Sequence, residues 1–207
     1  MSAAQLYDIV FDGNNKWMLS ANGTIFTYEY EAIIPGLLKR WYEERQEMQR
    51  KMRDCGDNEI EREYWDKRQL VKKINLNSLY GAILNPGCRF FDMRIGQSVT
   101  LTGRCITKHM ASKVNEIVAG KYDHKGESVV YGDTDSVYFS AYKTLQKEIN
   151  EGLIPWTKDS VLGLYDKIAE EVNGSFKSFM TRAFHTPSTR GEAVSYTHLT
   201  LPTNRCV

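Results

Sequence analysis

The chain has 207 residues, 42% of them hydrophobic and 26% charged, a balance that suits a soluble folded protein of one domain or two small ones and excludes a largely disordered chain. Its 27 basic and 26 acidic side chains nearly cancel, so bulk charge points to no partner, and any nucleic-acid site has to be read locally. No apolar run approaches the ~20 residues needed to cross a bilayer. Cys55, Cys88, Cys105 and Cys206 show no paired short spacing and the start does not read as a leader, which fits reduced thiols in a cytoplasmic setting with no membrane partner.

In residues 1–34, short apolar and polar stretches alternate around Asn22-Gly23, a dipeptide suited to a tight turn with positive φ. A small hairpin or an irregular segment is expected there. From Pro35 to Met52 the pattern is helical. Pro35 can open the helix, and Leu38, Trp41, Tyr42, Met48 and Met52 recur at spacings of three and four, with Arg45 inside the stripe. Gly56-Asp57-Asn58 breaks this helix, and a second follows from Glu59 to Leu84, roughly 40 Å long at ~1.5 Å per residue, until Pro86-Gly87 ends it. Two long helices joined by so short a turn must run antiparallel.

Val99 to Val118 reads as a further helix, packed through Ile106, Met110, Val114 and Ile117. Ser128–Tyr131 and Val137–Phe139 are β-forming runs on either side of Gly132-Asp133-Thr134-Asp135, which predicts a β-hairpin with acids at its tip. A last amphipathic helix is expected from Lys158 to Thr181, with Leu162, Tyr165, Ile168, Ala169 and Val172 on one side. The predicted class is α+β: a long antiparallel helical hairpin, a β-hairpin and packed helices.

Two constellations carry chemistry. Lys73, Asn77 and Tyr80 are four and three residues apart, so they project from one helix face and span ~10 Å along its axis. That length suits a nucleoside triphosphate lying along the helix, with the ammonium on phosphates, the amide on a middle phosphate or the sugar, and the phenol near the base. Gly81 adds a place without a side chain, where a backbone or base can approach. Spacing alone fits a solvated edge as well. Against that, Ile74, Leu76, Leu79 and Ile83 surround the stripe on a helix that should be largely covered, where polar groups need partners.

The second constellation is Tyr131-Gly132-Asp133-Thr134-Asp135-Ser136. Two carboxylates two residues apart at a hairpin tip can converge on one point, and hard divalent cations take oxygen ligands, with substrate phosphates completing the shell. Such a site suits two-metal displacement at phosphorus. Read alone, Asp-Thr-Asp serves equally as turn chemistry, and it lacks the spacing of an EF-hand calcium loop.

Together, Lys-x-x-x-Asn-Ser-x-Tyr-Gly from Lys73 and, about fifty residues later, Tyr-Gly-Asp-Thr-Asp-Ser from Tyr131 resemble motifs B and C of the family B DNA polymerases. The resemblance runs from about Asn22 to about Phe184 and is strongest to the replicative polymerases of large tailed bacteriophages. Ile33-Ile34-Pro35, Arg89-Phe90-Phe91-Asp92-x-Arg94 and Thr102-Gly103 fit it too.

The resemblance implies a segment leading into the palm over 1–34, a fingers helical hairpin over 35–84 and a partial palm over 85–193. It implies that Lys73 and Asn77 hold the triphosphate, that Tyr80 and Gly81 line the nascent base-pair pocket, and that Arg45 reaches the outer phosphates, although Gln49 stands where a fingers lysine is expected. Asp135 becomes the principal metal ligand and Asp133 its companion, supported by Tyr131, Thr134 and Ser136. Lys72, Arg89 and Arg94 are candidates to face DNA phosphates. The implied activity is template-directed addition of deoxynucleotides to a primer 3′ end with two Mg2+ ions. Its implied partners are primer-template DNA, deoxynucleoside triphosphates and, for the intact parent, a sliding clamp.

Departures matter equally. The family's motif A, an aspartate shortly before Ser-Leu-Tyr-Pro-Ser, is not found, and Leu6-Tyr7-Asp8 does not fit it. Nor are the proofreading exonuclease region, the Lys-x-Tyr element that grips primer DNA, or the thumb. The expectation is therefore a fragment, inactive alone, of a longer enzyme. Ser195 to Thr203 resembles the translation of a DNA-sequencing adapter, so 194–207 is expected to be a non-native tail. Two other readings stay open: a truncated nucleotide-binding or interaction module without catalysis, and a helical-hairpin nucleic-acid binder whose acidic tip is only structural.

Overall fold

The computed structural model describes residues 2–13, 16–133 and 136–187. In chain order its elements are α1 (Ala3–Phe11), β1 (Trp17–Leu19), β2 (Ile25–Thr27), α2 (Ile33–Asp54), α3 (Glu59–Ile83), α4 (Met93–Ala119), β3 (Val129–Gly132), β4 (Val137–Phe139), α5 (Gln146–Asn150) and α6 (Lys158–Phe184). They form the expected α+β arrangement of helices with two small antiparallel sheets. The chain divides into two compact units, one of Thr27–Val99 and one of the described residues on either side of it.

The first unit is the helical hairpin. α2 begins at Ile33, so Pro35 falls within the first turn, where its missing N–H breaks no helical bond. Gly56 takes a positive φ of 54° at the turn, and Asn58 caps α3 by accepting from the Glu61 amide at 3.2 Å. Contacts between the helices confirm the antiparallel sense. Lys51 Nζ lies 4.7 Å from the centroid of Trp65, Arg45 Nε donates to Gln69 Oε1 at 3.2 Å, and Glu44 pairs with Lys72.

The expectation that α3 is largely covered does not hold. Only Ile83 is buried, while Ile74 is 54% and Val71 55% exposed. A two-helix hairpin hides just the stripe that meets its single partner helix. Beyond Ile83 the chain turns through Leu84–Asp92 into α4, which starts six residues before the predicted Val99. Gly96 argues against helix by propensity, yet a Cβ there would stand 1.9 Å from Leu84 Cδ2. The missing side chain is what lets the first turns of α4 lie against the end of α3.

The second unit has a core of Met110 and Val114 from α4 with Ile168, Val172 and Phe176 from α6, flanked by Val129, Val137 and Phe139 of the β3–β4 hairpin. Ile168 and Val172 belong to the stripe that predicted this helix, Phe176 extends it by four positions, and the helix runs on to Phe184. His185 ends it in the left-handed conformation at φ 51°. α1 and α5 were not predicted. α1 is held by a capping box between Ser2 and Gln5, and it docks through buried Phe11, whose ring lies 4.5 Å from that of His185. Between β1 and β2, Asn22-Gly23 makes the expected turn, with Gly23 at φ 83°.

Candidate active site

The candidate groups lie on separate elements. On α3, Lys73 and Asn77 are exposed and Tyr80 is half-buried. The Tyr80 hydroxyl donates to the Gly96 carbonyl at 3.2 Å, which fixes the phenol at the start of α4. At Gly81 a Cβ would meet nothing within 4 Å, so nothing in the fold itself requires glycine there.

Adjacent lysines have different fates, because consecutive residues on a helix point about 100° apart. Lys72 turns towards α2, where it pairs with Glu44 and its ammonium lies 5.8 Å from the Trp41 centroid. The hydrogen bond from Lys72, with the charges of Lys72 and Arg40, holds the Glu44 carboxyl below its ordinary range despite some desolvation. Lys72 is thereby paired within the hairpin. The side chains of Lys73 and Asn77 make no hydrogen bond or ion pair among the described residues.

Arg45 is half-buried on α2. Its partner Gln69 sits four residues before Lys73, so Gln69, Lys73, Asn77 and Tyr80 continue one stripe along α3, and the Arg45–Gln69 bond brings Arg45 to the beginning of that stripe. Gln69 was missed in the sequence, although its spacing from Lys73 was the available signal. Arg94 makes a forked contact with Asp92, at 3.1 Å to Oδ1 and 2.8 Å to Oδ2. Chiefly through the Arg94 hydrogen bonds, the Asp92 carboxyl is lowered to about 2. Arg89 is exposed.

In the second unit, β3 and β4 pair antiparallel with Gly132 opposite Val137, and the register shifts between Val129 and Tyr131. The Asp133 amide donates to the Ser136 carbonyl at 2.9 Å and closes the hairpin. Tyr131 and Tyr138 pack with centroids 5.7 Å apart. Asp133 is exposed and borders a cavity of about 210 Å³ shared with Thr107, Lys108 and Ala111 of α4 and with His124. Asp135 and Thr134 lie outside the described residues. Among the described residues no group of three or more His, Cys, Asp or Glu side chains is arranged to hold a metal ion. The exposed Asp133 carboxylate offers the hard oxygen donor that Mg2+ requires.

DNA polymerase family B is the family whose sequence profile matches, over residues 9–178, and the chain belongs to it. The DNA-directed DNA polymerase of Escherichia phage RB69 is 40% identical over 80 residues, 38% of this chain and 9% of that protein. A DNA polymerase of Pyrococcus glycovorans is 36% identical over 113 residues, 55% of this chain and 14% of that protein. The chain thus spans 9% and 14% of the length of these two curated relatives. Among solved structures, the family B DNA polymerase from the hyperthermophilic archaeon Pyrobaculum calidifontis aligns with 65% of this chain and 17% of its own, at 27% identity and a TM-score of 0.46. Among the described residues no helix is long and apolar enough to cross a membrane.

Proposed function

We propose that this chain is the fingers and part of the palm of a template-directed DNA polymerase, which adds deoxynucleotides to the 3′ end of a primer on template DNA. The observation that carries the proposal is the contrast between two adjacent lysines on α3. Lys72 is neutralised within the hairpin by Glu44, whereas Lys73 stands exposed with Asn77 on the polar stripe that Arg45 joins through Gln69. Lys73 and Asn77 are the members of that stripe whose side chains face solvent, and a bound triphosphate would use them.

In this reading Lys73 and Asn77 grip the triphosphate, Arg45 reaches its outer phosphates, and Tyr80 and Gly81 shape the pocket for the new base pair. Asp133 and Asp135 supply carboxylate oxygens to Mg2+, with a further carboxylate from a segment outside this sequence. Two Mg2+ ions held there would supply activation of the 3′ hydroxyl and neutralisation of charge on the leaving pyrophosphate. The chain's own contribution is to orient the nucleotide and to hold those ligands.

Primer extension tests the proposal. In the full-length enzyme, Asp135→Ala should abolish extension while the protein stays folded, and residues 1–193 alone should extend nothing, since the carboxylates of one hairpin cannot align hydroxyl and phosphate through two metals. Robust extension by residues 1–193, or a full-length enzyme indifferent to Asp135→Ala, would refute it. Mg2+ bound to the isolated chain with no synthesis from the full-length protein would favour a nucleotide-binding module instead.

A further inference from the structure

Asn115 sits on α4 among core residues, one position after Val114, and is only 1% exposed. Burying a primary amide in that setting costs stability unless its polar atoms are all engaged, so its bonds must repay the position. Nδ2 donates to the Asp123 carbonyl at 2.8 Å and to the Ala111 carbonyl at 3.1 Å. Oδ1 accepts from the Ser128 amide at 3.1 Å. Two carbonyls on one side and an N–H on the other fix the orientation of the amide without ambiguity.

Two of these three groups belong to the loop that leads into β3. Asp123 lies four residues beyond the end of α4, and Ser128 closes the loop directly before Val129. Gly126 lies between them, and a Cβ on it would stand 2.4 Å from Asn115 Cγ, so the loop is wrapped tightly on the amide. Ser128 is itself 1% exposed, and its carbonyl accepts from the Ser140 amide of the returning strand at 2.8 Å. Asn115 therefore holds the base of the hairpin through Ser128, which in turn ties in Ser140 just beyond β4.

The register of this hairpin is not fixed by regular pairing alone, because it shifts between Val129 and Tyr131. A one-residue slip in a β-strand sends every following side chain to the opposite face. In a hairpin this short, the fixed point at Ser128 bears on which face Asp133 takes.

We propose that Asn115 is a positioning residue for the acidic hairpin, setting through the Ser128 amide the phase in which Asp133 reaches its tip. The proposal rests on the reading of that hairpin as a metal-binding element of a polymerase. Asn115 touches neither nucleotide nor metal in this scheme. Its loss should therefore act on how well the carboxylates converge and, once Mg2+ is saturating, leave the α3 contacts to the nucleotide and hence its KM unchanged.

The test uses the full-length polymerase and measures three quantities: the Mg2+ concentration for half-maximal primer extension, the KM for nucleotide at saturating Mg2+, and hydrogen exchange at the Ser128 amide. Asn115→Ala should raise the Mg2+ midpoint by roughly tenfold, the scale on which loss of a residue orienting a metal ligand acts. It should also expose the Ser128 amide to exchange, with nucleotide KM within about twofold of the parent. Gly126→Ala keeps the amide but drives a methyl against it, so it should shift the Mg2+ midpoint in the same direction and serves as the measurement if Asn115→Ala fails to fold. In an active enzyme, an unmoved Mg2+ midpoint in the folded variants, or an equal rise in nucleotide KM, overturns this assignment and leaves the polymerase reading standing. An inactive full-length parent overturns both.

Discussion

Mild acid should destabilise this protein through one residue, His109. Its imidazole lies in the core of the second unit, stacked on Phe179 with centroids 3.9 Å apart and planes within 2°. Nδ1 meets the Tyr122 hydroxyl at 2.8 Å and Nε2 meets Ser175 Oγ at 3.0 Å. The Ser175 hydroxyl donates to the Val172 carbonyl at 2.6 Å, so Oγ accepts from Nε2–H and the Tyr122 hydroxyl donates to Nδ1. Both nitrogens are satisfied by the neutral ring, and a further proton would have to enter at Nδ1, against a donor. Burial, with the Lys113 charge adding to it and Glu116 opposing, lowers the His109 pKa.

The sign follows from linkage. The unfolded chain takes up the proton near the ordinary histidine pKa of about 6.5 while the folded chain does not. Stability is fully present above that pH, falls by at most about 1.4 kcal/mol per pH unit below it, and levels off once the folded form also protonates. The lowered carboxyls Asp92, Asp123 and Glu44 lose their contributions only at lower pH. Urea unfolding from pH 8 to pH 5 measures the slope. His109→Phe keeps the stack on Phe179 and leaves Ser175 its bond to Val172 and Tyr122 access to water, so at pH 8 it should cost no more than about 1 kcal/mol while flattening the profile below pH 6.5. Parallel profiles for parent and variant would refute the reasoning.

Gly96→Ala tests the close approach of α4 to α3. The new methyl overlaps Leu84 and overpacking costs ~1–3 kcal/mol, offset by the ~1 kcal/mol helical advantage of alanine. In a Leu84→Ala background the overlap vanishes and the same change should stabilise, so equal effects in both backgrounds by urea denaturation would discount the contact. In the full-length enzyme, Lys73→Ala should weaken nucleotide use by ~1.5–3 kcal/mol, the value of a charge-assisted contact, without altering primer-template binding. Unchanged steady-state incorporation would remove Lys73 from the triphosphate site.

Legibility in the sequence followed punctuation and periodicity. Gly56, Asn58 and Pro86 bracket the helical hairpin because each has a local conformational reason to interrupt a helix, and the four-residue recurrence of Ile168, Val172 and Phe176 is visible without coordinates. The early start of α4 was not legible, because Gly96 lowers local helix propensity for the sake of Leu84, a neighbour twelve residues back. The start of α1 is legible in Ser2-x-x-Gln5, the capping-box spacing. The acidic hairpin was read correctly as an element, but its anchor was not. Nothing in the sequence marks Asn115 out from any other polar residue on a helix until Asp123 and Ser128 are seen to share its amide.

The same distinction governs the site. Sequence spacing can say that Lys73, Asn77 and Tyr80 share a face, since that follows from helix geometry alone. It cannot say which of two adjacent lysines the fold consumes, since that depends on Glu44, which lies twenty-eight residues before Lys72 and reaches it only when the hairpin closes. Once it closes, the turn of about 100° per residue that gives Lys72 to Glu44 carries Lys73 out of that contact. Pairing on the face where the two helices meet therefore does more than stabilise the hairpin: by fixing Lys72 it fixes the rotation of α3, and with it the direction in which Lys73 and Asn77 face.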